Sequence, residues 1–132
     1  MIFHGAVFFI VGMLAGIPYG QAIARNAGQR KVDAWRAAHT GLSSTGIFVI
    51  AVGAAMQNWA DHSSLASLTV AALVIAGYSF CIAMPLAAWS GSRGLSPRSP
   101  LTNRIVFGCY GLSIAGTFIG SFAFLRLAWL HG

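Results

Sequence analysis

Trp35-Arg36-Ala37-Ala38-His39-Thr40-Gly41 carries the chain from a basic stretch into an apolar one and sets a histidine just inside it. An ionisable side chain within a membrane span is costly, so by default it marks a functional position. Imidazole is also the commonest protein ligand for iron, copper and zinc. Whether this junction opens a membrane span depends on what flanks it.

The composition answers that. Of 132 residues 57% are hydrophobic and only 8% are charged, about a third of the roughly 25% usual in soluble domains. A soluble chain of this size could not cover itself with polar surface. The expected class is all-α: a four-transmembrane-helix bundle in a single domain, integral to the membrane. Four apolar stretches fit spans at about 2–24, 37–56, 65–89 and 105–130. The formal charge of +6 does not point to nucleic acid, because the cations lie between apolar stretches and read as topology signals. Residues 1–24 end in Ala22-Ile23-Ala24, which resembles a signal-peptidase site. No Lys or Arg precedes the run, and it is long for a signal-peptide core, so it is expected to be a retained span.

Arg25, Arg30, Lys31 and Arg36 outweigh Asp33 in the first loop, and Arg93, Arg98 and Arg104 populate the third. The second loop holds Asp61 and His62. The positive-inside rule then puts loops 25–36 and 90–104 in the cytoplasm and both termini on the other side. The alternation hints at a duplicated two-span unit, although no motif repeats between the halves.

Within the spans, Gly12, Gly16 and Gly20 recur every four residues, as do Gly116 with Gly120 and Ser113 with Thr117 and Ser121. Such faces let helix backbones approach closely. His39, Ser43 and Gly46 fall on one stripe, suited to a packed interface or to the wall of a cofactor slot. The bland reading of the nearby hydroxyls is bonding to their own helix carbonyls. Pro18 and Pro85 are expected to kink their spans. Trp89 reads as an interfacial anchor, and Arg126 as a snorkelling side chain. His4 is expected at the surface, among headgroups. Cys81 and Cys109, with no CxxC or CxxCH, read as small buried hydrophobes.

Catalytic groups are scarce. The chain has no glutamate, and both aspartates fall in loops. No Ser-His-Asp set, phosphate loop or zinc-type Cys/His cluster can be assembled, and with both aspartates in loops a carboxylate pair working as general acid and base is not expected. Any enzyme built here needs a cofactor to carry the chemistry. A single axial histidine holds haem iron, and His39 is the histidine well inside a span. The bland alternative is a histidine hydrogen-bonded between helices. So small a bundle encloses little volume, which favours a large cofactor between subunits and hence a homo-oligomer.

The segment Trp35–Gly41 resembles the Trp-x-Arg-Ala-His-Ser-Gly segment of the styrene oxide isomerase family, where it opens the second of four membrane helices. His4-Gly5 with the span that follows resembles the same family, as does Val74-Ile75 through Gly77 and Ser79 to Arg93-Gly94-Leu95. The early His-Gly and the Ala-His also resemble hydroxylaminobenzene mutases. The resemblance implies a trimeric protein of the bacterial inner membrane that binds haem b, with the iron on His39. It implies ferric iron acting as a Lewis acid on an epoxide oxygen, followed by ring opening and a hydride shift to an aldehyde. For a mutase, the change would be an aryl hydroxylamine to an aminophenol. Ser43 and Thr45, with residues near Met84, would line the pocket for a small apolar substrate. Three positions depart from the isomerase pattern: Thr45 stands for an asparagine, Ala76 for an aspartate and Met84 for a tyrosine. Tyr78 and Tyr110 are the candidates to supply the missing phenol. The alternatives are a non-enzymatic haem protein for redox, sensing or haem handling, and a haem-free structural or transport bundle.

Overall fold

In the computed structural model, which describes residues 1–59 and 64–131, the chain is helical almost throughout. Helix α1 spans Ile2–Ala24, α2 Gln29–Ala55, α3 Ser64–Ser90 and α4 Leu101–His131, with one 3-10 turn at Met56–Asn58 after α2. All four helices are long and apolar enough to cross a membrane, for which about 20 residues suffice. Asp61 and His62 lie outside the described residues.

The helices form two hairpins. α1 packs along α2 and α3 along α4, and the hairpins meet chiefly through α2 and α3, with a smaller contact between α1 and α3. Small residues make this packing possible. An added Cβ at Gly12 would meet the Ser43 backbone nitrogen, and one at Gly116 would lie 2.8 Å from the Ala72 carbonyl oxygen. Without water to drive helices together, close backbone contact of this kind supplies the dispersion energy. Fully buried Phe8 crosses from α1 to fill the space left by Gly77 on α3.

The outside is as apolar as the inside. Ile10, Met13, Leu14 and Ile17 on α1 and Phe118, Phe122 and Leu125 on α4 are exposed. In water such a surface would aggregate; in a bilayer it faces lipid.

Two helices start earlier than the apolar pattern indicates. α2 begins at Gln29 rather than near 37, and α4 at Leu101 rather than near 105. Apolarity marks the stretch in the hydrocarbon, whereas a helix can continue through the headgroups. At the start of α2 it is supported by Asp33, which accepts from Gln29 (3.0 Å) and from Arg36 (2.7 Å), pairs at helical neighbour spacing. Trp35–Gly41 is thus interior helix. Trp35 is buried in a cluster with Ala15, Ala22, Ala38 and Ala88. Pro18 and Pro85 both lie inside continuous helices.

The connection from 91 to 100 is organised by Asn103. Its amide donates to the carbonyls of Ser96 (2.8 Å) and Arg98 (3.1 Å), and its oxygen accepts from the Gly94 N–H (3.0 Å). Gly94 has φ +61 and abuts Val106 and Tyr110, so both its conformation and its space exclude a side chain.

Candidate functional site

His39 lies in the third turn of α2 and faces α1. Its Nδ1 is 2.8 Å from the Gly12 carbonyl oxygen. A carbonyl can only accept, so Nδ1 carries the proton and donates. The remaining nitrogen, Nε2, therefore presents a lone pair, and it has no hydrogen-bond partner among the described residues. A second contact fixes the ring plane: Tyr19 stacks on the imidazole at a centroid distance of 6.2 Å and an interplanar angle of 21°. Gly16, one turn from Gly12, leaves the space for it. A Cβ there would stand 3.2 Å from Nδ1. The ring is thus pinned, oriented and given room by three residues of α1.

Ser43, one turn after His39, faces the same way. Its Oγ is buried with no hydrogen-bond partner among the described residues, against Gly12. Gly46 continues the stripe, where an added Cβ would run into the Phe9 backbone. The stripe is a packed helix interface, with the imidazole at its loop-proximal end.

Thr45 is on another face of α2. Its hydroxyl donates to the Gly41 carbonyl at 2.8 Å, and its side chain lines a cleft of about 450 Å³ between α2, α3 and α4. Phe48, Phe80, Ser113 and Phe118 also line this cleft. Two residues along a helix turn the direction by about 200°, so Ser43 and Thr45 do not converge within one chain. Expecting both to line one pocket is corrected on that ground.

Met84 lies beyond Phe80, toward the loops. The Tyr110 hydroxyl donates to its sulfur at 3.1 Å, and the Phe80 and Tyr110 rings are 6.3 Å apart. Of the two candidate phenols, Tyr110 is therefore the one beside Met84. Tyr78 is at the middle of α3, with its hydroxyl 3.0 Å from Nδ1 of His4 in the first turn of α1. His4 is half-buried between Tyr78 and Phe3. Ala76 is buried and apolar.

Past Met84 a larger cleft of about 790 Å³ opens toward the loops, lined by Met84, Tyr110 and Leu95 and by Arg30, Lys31 and Arg93. Arg30 reaches across it to the Gly91 carbonyl at 3.0 Å.

Among the described residues no three His, Cys, Asp or Glu side chains gather to hold a bare metal ion. Both cysteines are free thiols. What the chain offers a metal is one imidazole nitrogen of fixed tautomer, which suits an ion whose other ligands come from its own macrocycle. Four-residue glycine spacing was the readable signal for the surroundings of His39, although Gly20 meets nothing. Tyr19 and the Tyr110–Met84 contact carried no such signal.

Among curated proteins and solved structures none matches the chain. Over residues 1–129 it matches the family described as styrene oxide isomerase. With four membrane-length helices and a match along nearly its whole length, the chain belongs to the styrene oxide isomerase family.

Proposed function

We propose that the protein is a haem-b-dependent membrane isomerase or mutase, acting on a small apolar substrate such as an aryl epoxide or an aryl hydroxylamine. The observation that carries this reading is the His39 hydrogen bond to the Gly12 carbonyl. A ligating histidine commonly donates its other N–H to a carbonyl or carboxylate, which sets the tautomer and raises the basicity of the ligating nitrogen. Here Nδ1 donates to main chain, and Nε2 is the nitrogen for iron. A ferric haem bound there supplies Lewis acidity toward a substrate oxygen.

The rest is the work of the chain. The cleft beside Thr45 is walled by Phe48, Phe80 and Phe118, and such a wall excludes water from a cation-like rearrangement and orients an aromatic substrate. It lies on a different face of α2 from His39. A site that uses both is therefore completed between copies, His39 coming from one and the cleft from the next. This supports a homo-oligomer, a trimer by family resemblance. The two basic loops would lie on the cytoplasmic side.

A second reading, haem binding without isomerisation, draws on the same cleft. The Thr45 hydroxyl is engaged with its own helix, and Ala76 offers no polar group.

The test is an absorbance spectrum of the protein from haem-supplied cells beside His39→Ala, followed by turnover of both substrate classes. A Soret band lost in the variant, with turnover in the wild type, is expected. A haem-loaded protein inert toward both classes leaves the second reading, and a colourless wild type overturns both.

A further inference from the structure

The basic cleft at the loop end has cations with no carboxylate partner among the described residues. Arg30 and Lys31 come from the first turn of α2, and Arg93 comes from the connection to α4. Asp33, the carboxylate nearest in sequence, is taken by Arg36 and Gln29, and no acidic residue lines the cleft. Arg30 uses one of its N–H groups on the Gly91 carbonyl, and its others remain available. Met84 and Tyr110 line this cleft, Phe80 lines the aromatic one, and the Phe80 and Tyr110 rings are 6.3 Å apart, so the two clefts adjoin. One face of the α2–α3–α4 unit therefore grades from aromatic to cationic along the bundle axis.

We propose that Arg30, Lys31 and Arg93 receive the two carboxylates of the haem. This rests on the haem reading given above. Haem b is an apolar plate with its carboxylates on one edge, and it needs an apolar slot that ends in cations. Depth supports the match. Arg30 lies nine residues before His39 on one helix, about 13 Å along the axis at roughly 1.5 Å per residue. Copies related by a rotation about the membrane normal keep their depths. The cations of a neighbouring copy thus stand at the same height below His39 as those of its own chain. An iron on His39 and carboxylates one porphyrin radius nearer the loops then come within reach of long arginine and lysine side chains. Arginine suits this role, because its planar fork pairs with carboxylates in two-point geometry.

The experiment compares haemin with haemin dimethyl ester, which keeps the plate and iron but removes both charges. Each is titrated by its Soret band into apoprotein in phosphatidylcholine nanodiscs. The proteins are wild type, His39→Ala, the triple variant Arg30→Gln/Lys31→Gln/Arg93→Gln, and Arg98→Gln/Arg104→Gln as a charge control from the same connection and the first turn of α4. Wild type and control are expected to bind the diacid at least tenfold more tightly than the ester. The triple variant should bind both about equally, at the affinity of wild type for the ester. Arg93→Gln alone should lose part of the preference, which keeps the test open if the triple variant does not fold. A wild type that binds both forms equally overturns the proposal and leaves the haem reading standing. So does a control that loses the preference as fully as the triple variant, since diffuse surface charge would then be the cause. Failure of the wild type to bind either form overturns the haem reading itself. Retained preference in the triple variant, with selective loss of bound phosphatidylglycerol from protein purified with native lipid, would reassign the cleft to an acidic lipid.

Discussion

At the scale of single residues, the environment of His39 is a problem of space. Gly16 keeps the imidazole in place by having no side chain, and the clearance is small: a methyl at 3.2 Å from Nδ1 forces the ring to give by a few tenths of an ångström. Gly16→Ala is therefore expected to keep the haem with a shifted Soret maximum. Gly16→Leu should lower haem content several-fold while far-ultraviolet circular dichroism stays unchanged. Equal haem content in Gly16→Leu and wild type would show that the ring is not held where the structure puts it. Ser43 predicts the opposite kind of result. Its buried Oγ has no partner among the described residues, and such a group costs about 1–3 kcal/mol. Ser43→Ala should match or exceed the wild-type midpoint in thermal unfolding in detergent, and a clear loss of stability would mean that the hydroxyl has a partner in the assembled protein.

At the scale of helices, close approach decides the packing. A Cβ at Gly116 would meet the Ala72 carbonyl oxygen at 2.8 Å and the Ala76 methyl at 3.0 Å. Gly116→Val should push α4 off α3 and destabilise the protein by about 1–3 kcal/mol, read as a lower unfolding midpoint. The His39 ligand signature should survive, because that contact is within the other hairpin. The number of helices and their faces of small residues were legible in sequence, since hydropathy and four-residue spacing are local properties. The true start of α2 was not: hydropathy reports the hydrocarbon slab, and the helix runs on to Gln29 through charged residues. Facing was only partly legible. His39, Ser43 and Gly46 form the stripe their spacing indicates, but which neighbour the stripe meets is tertiary information. For the same reason Thr45 could not be assigned to the aromatic cleft, nor Tyr110 to Met84, from sequence alone.

At the scale of the whole molecule, two expectations concern its surroundings. By the positive-inside rule the basic loops are expected on the cytoplasmic side. In a Cys81→Ala/Cys109→Ala background, Ser99→Cys should react with a membrane-impermeant maleimide in inverted vesicles and stay unlabelled in intact cells; labelling in intact cells would reverse the topology. The second is assembly. Because His39 and the aromatic cleft occupy different faces of α2, a haem-loaded preparation should have an oligomeric mass once bound detergent is subtracted, and a haem-loaded, catalytically active monomer would contradict the shared site.

The partner of His39 Nδ1 is a main-chain oxygen, and this has a consequence for how the site can vary. A side-chain acceptor can be deleted by one base change, whereas the Gly12 carbonyl stays whatever residue occupies position 12. Drift along α1 can crowd the imidazole or move the helix, but it cannot remove the acceptor. An alanine scan would therefore score Gly12 as a packing position and miss its part in ligand orientation. To expose that part, the amide itself has to change, for example by an ester substitution at the Gly12–Met13 bond, which weakens the carbonyl as an acceptor and leaves every side chain in place.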